Sequence, residues 1–135
     1  MTKLYVVDDD RGFLQLIEEV AAPMGFETVV ATAPRTFKSH YGGEPDSVVM
    51  LDMIMPDTDG IELLNWLSNV GPPGAVILAS GFTGHYTLMA GTLAEAKGMN
   101  VVARLAKPVK LAELRAALVA AKDNGNGART ARSPD

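Results

Sequence analysis

Two absences narrow the classes to which this chain can belong: it has no cysteine and no long apolar run. Without cysteine, disulfides, thiolate metal sites and cysteine nucleophiles are excluded. No stretch approaches the roughly 18 consecutive apolar residues that a membrane-spanning helix needs. Basic residues are also few relative to acidic ones, and the formal net charge is -4. That balance argues against direct binding to nucleic acid, which requires a basic stripe.

What remains is the composition of one globular domain. The chain has 135 residues, of which 47% are hydrophobic and 21% charged, so it can bury a real core. We predict one domain over residues 1–122 and a disordered C-terminal tail over residues 123–135, which are polar and contain glycine and proline. No signal-peptide pattern precedes the first strand-like run, so we expect a cytoplasmic protein that does not associate with membranes.

Short apolar runs alternate with segments of helical periodicity five times along the chain. Glycines such as Gly25, Gly42 and Gly98 end the helical segments, as expected of residues that follow a helix. This alternation predicts an α/β fold, a doubly wound five-stranded parallel sheet flanked by five helices with right-handed crossovers. The predicted strands are residues 4–7, 28–31, 48–51, 75–79 and 101–106.

Carboxylates follow directly on two of the predicted strands. Asp8, Asp9 and Asp10 come after the first strand, and Asp52 comes after the third. Because ligands bind at the carboxyl ends of parallel strands, at least three carboxylates should meet in one crevice. Like charges about 4 Å apart repel by roughly 4 kcal/mol at an effective dielectric of 20, so a cation is expected there. Oxygen ligands favour a hard ion such as Mg²⁺, whereas Asp10 is better placed to cap the next helix.

Two more polar side chains stand at strand ends. Ser80 follows the fourth strand and Lys107 follows the fifth. A carboxylate can attack phosphorus and form an acyl phosphate. An ammonium group, a hydroxyl and Mg²⁺ are the groups that stabilise the charge of a phosphoryl group in transfer. The set formed with Asp52 therefore suits phosphoryl transfer onto an aspartate.

On these motifs the chain resembles the response-regulator receiver domain of two-component signalling, which has a flavodoxin-like fold. The resemblance extends over about residues 3–121. Each motif is weak alone, but all of them in this order at strand ends are specific. The matching motifs are Val6-Val7-Asp8-Asp9, Leu51-Asp52-Met53-Ile54-Met55-Pro56-Asp57-Thr58-Asp59-Gly60, Ala79-Ser80-Gly81 and Leu105-Ala106-Lys107-Pro108.

The resemblance implies a role for the acidic residues and the loop that follows the third strand. Asp52 would be the phosphoacceptor. Asp8, Asp9 and Asp52 would hold Mg²⁺, together with the backbone carbonyl of Met53.

The resemblance also implies how the phosphoryl group is contacted and where it comes from. Ser80 and Lys107 would contact the phosphoryl group, and the Lys107–Pro108 peptide would be cis. The donor would be a histidine kinase or a histidine phosphotransfer protein. The signal would then pass to a downstream protein by protein–protein contact.

The function expected from this resemblance is that of a single-domain response regulator. It would be a switch and not an enzyme, with at most weak self-dephosphorylation. One alternative is a receiver-like binding module that does not use phosphorylation, and another is the receiver fragment of a larger protein with an output domain. A haloacid-dehalogenase-type phosphatase is disfavoured, because that class expects Thr or Val two positions after Asp10, where Gly12 stands.

The sequence departs from the receiver pattern in three places. Arg104 occupies a position three before Lys107 that is often aromatic in the family. The segment between Ser80 and Lys107 is several residues longer than usual. Ile54 and Phe82 stand at the positions that flank the path of the hydrolytic water, and neither side chain can orient a water molecule.

Overall fold

The computed structural model describes residues 1–56, 58–81 and 84–131 as strands and helices in alternation. The strands are β1 (Thr2–Val7), β2 (Phe26–Ala31), β3 (Val48–Asp52), β4 (Ile54–Met55), β5 (Thr58–Asp59), β6 (Ala75–Ser80) and β7 (Val101–Ala106). The helices are α1 (Arg11–Ala21), α2 (Pro34–His40), α3 (Gly60–Val70), α4 (Gly84–Ala96) and α5 (Leu111–Ala131), with a 3₁₀ turn at Ala22–Met24. Within the described residues, no helix is both long enough and apolar enough to cross a bilayer.

Five of the strands form one parallel sheet in the order β2-β1-β3-β6-β7. This confirms the predicted doubly wound five-stranded sheet with five helices. The register pairs Val7 with Leu51, Asp52 with Ala79, and Ser80 with Ala106. The carboxyl ends of four neighbouring strands are therefore level with one another, which gives the sheet one common edge at that end.

Helices cover both faces of the sheet. Successive side chains of a strand point to opposite faces, so each strand contributes to two cores. Leu4 and Val6 belong to a core that also contains residues of α1 and α5. Tyr5 and Val7 belong to a second core, which contains residues of α2, α3 and α4. All five residues of β3 are buried, and this explains why its sequence is a continuous apolar run instead of an alternating one.

A small antiparallel hairpin follows β3 and was not predicted. Strand β4 pairs with β5, with Ile54 opposite Asp59 and Met55 opposite Thr58. Each strand has only two residues, so the sequence has no room for a period-2 pattern that would mark it. The hairpin shapes the loop between β3 and α3.

Helix α5 continues to Ala131, so it covers residues 123–131, where the sequence predicted a disordered tail. Leu118 and Ala121 are fully buried and anchor the preceding turns against the sheet. Once a helix is nucleated, each further residue adds a hydrogen bond at low cost, and polar residues can extend it. Residues 132–135 of the predicted tail lie outside the described residues, and the domain boundary at 122 stays a prediction.

A cluster of four aromatic rings fixes α2 and α3 on one face of the sheet. Tyr5, Phe37, Tyr41 and Trp66 contact one another with ring centroids 5.0–6.1 Å apart. The Tyr41 hydroxyl is buried and donates a hydrogen bond of 2.5 Å to the carbonyl oxygen of Gly71. Burial raises the pKa of Tyr41 to about 12.

We expect Tyr41→Phe to lower the free energy of unfolding at pH 8 by about 1 kcal/mol, because the Gly71 carbonyl loses its donor. The pKa of Tyr41 is raised in the folded state, so its contribution is complete below its unfolded pKa of about 10 and is lost as pH rises through about 12. Urea unfolding of both proteins at pH 8 and pH 11 checks this. A difference that is the same at both pH values would contradict the prediction.

Candidate acidic site at the sheet edge

Four polar side chains lie at the common edge of the sheet, each delivered by a different strand. Asp8 follows β1, where its backbone N–H donates to the carbonyl oxygen of Ala31 at 3.0 Å. Asp52 is the last residue of β3 and Ser80 the last of β6. Lys107 follows β7, and its backbone N–H donates to the carbonyl oxygen of Ser80 at 2.8 Å. Parallel strands in register thus bring residues up to 99 positions apart to one place.

Three carboxylates form a compact acidic cluster, as the sequence predicted. One carboxylate oxygen from each of Asp8, Asp9 and Asp52 lies within 4.8 Å of the others. Asp8 and Asp52 are buried, with 1% and 3% of their surface exposed, whereas Asp9 is exposed. Buried carboxylates in this arrangement need positive charge or hydrogen-bond donors nearby.

Lys107 supplies that positive charge. Its Nζ lies 2.7 Å from Asp8 Oδ2 and 3.2 Å from Asp52 Oδ2. The remaining oxygens are also hydrogen-bonded, because Asp8 Oδ1 accepts from the N–H of Asp10 at 2.9 Å and Asp52 Oδ1 accepts from the N–H of Ile54 at 3.0 Å. Lys107 therefore offsets the electrostatic repulsion between the carboxylates that the sequence predicted. The sequence placed this lysine at the end of a strand but did not predict that it pairs with Asp8 and Asp52.

Asp8 and Lys107, which form an ion pair, have pKa values that burial shifts in opposite directions. Burial raises the pKa of Asp8, and the hydrogen bond from Lys107 opposes that rise without reversing it. Burial lowers the pKa of Lys107, but the hydrogen bond and negative charge of Asp8, with the charge of Asp52, outweigh it and raise that pKa overall. The ammonium group is thus kept charged inside the site.

Two aspartates near the cluster cap helices. The side chain of Asp10 accepts from the N–H of Phe13 at 3.2 Å and caps α1, as predicted. Asp59 accepts from the N–H groups of Ile61 and Glu62 and caps α3. In the sequence, Asp59 stands in the motif that follows Asp52, and an Asp followed three positions later by Glu62 is a helix-start signal that would have identified the cap.

Gly60 allows α3 to approach the loop that follows Asp52. A Cβ atom at Gly60 would lie 3.0 Å from the carbonyl oxygen of Met53 and 3.2 Å from its Cα. Met53 itself is held by a hydrogen bond of 2.8 Å from its N–H to the carbonyl oxygen of Ala79. On the other side of the site, the Lys107–Pro108 peptide is cis, as predicted.

The structure places Arg104 and Ile54, two residues at which the sequence departs from the receiver pattern. Arg104 lies against α4, where its Nη2 donates to Glu95 Oε1 at 3.2 Å. A Cβ at Gly91 would lie 2.4 Å from the Nε of Arg104, so the guanidinium occupies the space over that glycine. Ile54 is exposed, with 39% of its surface accessible. Phe82 lies outside the described residues.

We expect Lys107→Met to lower the free energy of unfolding of the metal-free protein by about 2 kcal/mol, because two buried carboxylates lose their cation while the lysine is only partly buried. Asp52→Asn in the Lys107→Met background should recover part of that loss. Denaturant unfolding in a metal chelator measures both effects. Lys110→Met removes an exposed lysine from the same segment and is the control, and an equal loss in that control would contradict the prediction.

Known proteins with similar sequences and structures are response regulators and their relatives. The chain is 28% identical over 116 residues to sporulation initiation phosphotransferase F of Bacillus subtilis, covering 86% of this chain and 90% of that protein. It is 26% identical over 117 residues to the photosynthetic apparatus regulatory protein RegA of Rhodobacter capsulatus, covering 87% of this chain and 61% of that protein.

Structural similarity and the family match agree with these relatives. The crystal structure of a response regulator from Colwellia psychrerythraea superposes with a TM-score of 0.78 and 29% sequence identity, covering 90% of this chain and 97% of that one. The response regulator receiver domain family matches residues 4–119, nearly the whole chain. This chain belongs to the response regulator receiver domain family.

Proposed function

We propose that this chain is a phosphorylatable switch that accepts a phosphoryl group on Asp52 and then signals through protein–protein contact. The donor is the phosphohistidine of a histidine kinase or of a histidine phosphotransfer protein, and the reaction depends on Mg²⁺. The observation that carries this proposal is the position of Asp52, which is buried within the acidic cluster and lies 3.2 Å from Lys107 Nζ. Ser80 stands at the adjacent strand end.

The reaction is a displacement at phosphorus. An oxygen of the Asp52 carboxylate forms a bond to phosphorus while the bond between phosphorus and the donor imidazole breaks, and the imidazole leaves with that electron pair. Lys107 already donates to Asp52 Oδ2, so it can transfer one hydrogen bond to a phosphoryl oxygen without leaving the site. Ser80 provides a hydroxyl from the next strand. Positioning and charge stabilisation are the main contributions that a protein makes to such a transfer.

The acidic cluster suits Mg²⁺ by its donor chemistry. Receiver domains bind this ion at an acidic pocket, and the oxygens of Asp8, Asp9 and Asp52 lie within 4.8 Å of one another here. The Met53 carbonyl would be a further protein ligand beside the three acids, and glycine at position 60 avoids a Cβ atom only 3.0 Å from that carbonyl oxygen. An all-oxygen ligand set matches a hard divalent cation. When bound, the ion neutralises charge on the phosphoryl oxygens.

In its single-domain form, the proposal takes this receiver to act without an output domain of its own. This chain covers 90% of sporulation initiation phosphotransferase F, which is named as a phosphotransferase. The alternative is a receiver that belongs to a larger protein with an output domain, and in RegA the matched part is 61% of the protein. In either form, the phosphorylated site would act as a switch with at most weak self-dephosphorylation.

Incubation with acetyl phosphate and Mg²⁺ should add one phosphoryl group to the protein, and Asp52→Asn should abolish this, because the acceptor carboxylate is gone. Intact mass spectrometry measures the gain. Asp10→Asn is the matched control, since asparagine caps a helix as well as aspartate and this variant should be labelled like the wild type. Labelling of Asp52→Asn at the wild-type level would refute the assignment.

Gly60→Ala should weaken Mg²⁺ binding and lower stability, because the added Cβ would meet the Met53 carbonyl at 3.0 Å and displace a proposed ligand. The measurement is the dependence of the melting temperature on Mg²⁺ concentration, which reports affinity by mass action. Gly12→Ala, at an exposed position of α1, is the control and should leave Mg²⁺ affinity unchanged. Equal Mg²⁺ responses in wild type and Gly60→Ala would show that the carbonyl does not need this space.

A further inference from the structure

We propose that Phe13 is a positioning residue for phosphoryl transfer: its ring holds the ammonium of Lys107 inside the crevice, directed at Asp52. This inference rests on the proposed function and adds a residue that no motif of the sequence marked. The carrying observation is that Lys107 Nζ lies over the face of the Phe13 ring, 4.9 Å from its centroid.

The three N–H bonds of the ammonium account for this geometry. Nζ has donors for Asp8 Oδ2 at 2.7 Å and for Asp52 Oδ2 at 3.2 Å. The Phe13 ring presents its electron-rich face to the same nitrogen. A lysine side chain has a flexible four-carbon stem, and 21% of this one is exposed, so solvent competes for the ammonium. The Phe13 ring shields the ammonium from part of that solvent.

Phe13 is fixed by the same segment that carries the acids. The N–H of Asp10 donates to Asp8 Oδ1 at 2.9 Å, and the Asp10 side chain accepts from the N–H of Phe13 at 3.2 Å. Phe13 is also partly buried against the core beneath α1 and α5. Two consecutive hydrogen bonds therefore link the backbone of Phe13 to the Asp8 carboxylate, and the packing of the side chain limits where the ring can lie.

The consequence appears during transfer. When a phosphoryl group arrives on Asp52, Lys107 must exchange a carboxylate oxygen for a phosphoryl oxygen. A ring that attracts the cation without accepting a directed hydrogen bond holds Nζ in place yet lets its donors turn. An aliphatic side chain of similar volume would fill the space but would lack the quadrupole that attracts the charge.

The test compares Phe13→Leu with Phe13→Tyr, measuring the rate of labelling by acetyl phosphate at saturating Mg²⁺. We expect Phe13→Leu to be labelled roughly three- to tenfold more slowly than the wild type and Phe13→Tyr to be close to it, because tyrosine keeps the aromatic face. Leu16→Ala truncates a partly exposed apolar residue of the same helix away from the site, and this control should keep the wild-type rate.

A double-mutant cycle separates positioning from packing. If Phe13 acts through Lys107, Phe13→Leu should not slow labelling further in the Lys107→Met background. Additive effects, or equal slowing by leucine and tyrosine, would show that the ring only packs and would overturn the inference. So would a Phe13→Leu rate equal to the wild-type rate. A wild-type protein that is not labelled at all would instead refute the proposed function itself.

Discussion

The ion pairs of Lys107 with Asp8 and Asp52 are the constraint on which the arrangement of the site depends. Two buried carboxylates stand at the ends of neighbouring strands β1 and β3, and the cation comes from β7, on the far side of β6. The lysine must therefore pass the end of β6, where small residues stand. An ideal Cβ at Gly81 would lie 4.0 Å from Lys107 Cβ, so the stem of the lysine runs close to that glycine. One side chain thereby joins the ends of four strands.

In the metal-free site, donors of the protein itself stabilise the charges of Asp8 and Asp52. Every carboxylate oxygen of Asp8 and Asp52 has a hydrogen-bond donor, either Lys107 or a backbone N–H. The backbone donors are fixed by the fold, whereas the ammonium is carried on a flexible four-carbon side chain. A divalent cation that binds the acids would take over part of the charge that Lys107 now balances, and the lysine would become available to a phosphoryl oxygen. The same group can thus stabilise the resting site and serve the reaction.

The parts of the fold that the sequence predicted are those in which burial leaves a regular trace. The central strands β1, β3 and β6 read as largely continuous apolar runs, whereas the edge strands β2 and β7 also contain Glu27 and Arg104. Polar residues at or just after the strand ends identify Asp8, Asp52, Ser80 and Lys107 as neighbours. Which charges pair is a different matter, because Lys107 is 99 residues from Asp8 and the pairing depends on side-chain direction. The two-residue strands β4 and β5 are too short for a pattern, and the ring of Phe13 reads simply as helical core.

The position of Arg104 shows how a departure in sequence changes the attachment of one helix. Glycine inside a helix costs about 1 kcal/mol relative to alanine, yet a Cβ at Gly91 would lie only 2.4 Å from the Arg104 guanidinium. The absence of a side chain at Gly91 therefore leaves room for the Arg104 guanidinium. The ion pair with Glu95 is largely exposed, so it adds little stability.

Of the described side chains of α4, the alanines Ala90 and Ala94 are fully buried, whereas α1 and α3 bury several leucine, isoleucine or valine side chains. Small anchors bury little apolar surface, so these two alanines contribute less hydrophobic stabilisation to α4 than the larger buried side chains contribute to α1 and α3. Arg104 contacts this helix through a polar group that solvent can replace, whereas an aromatic residue at that position would bury apolar surface.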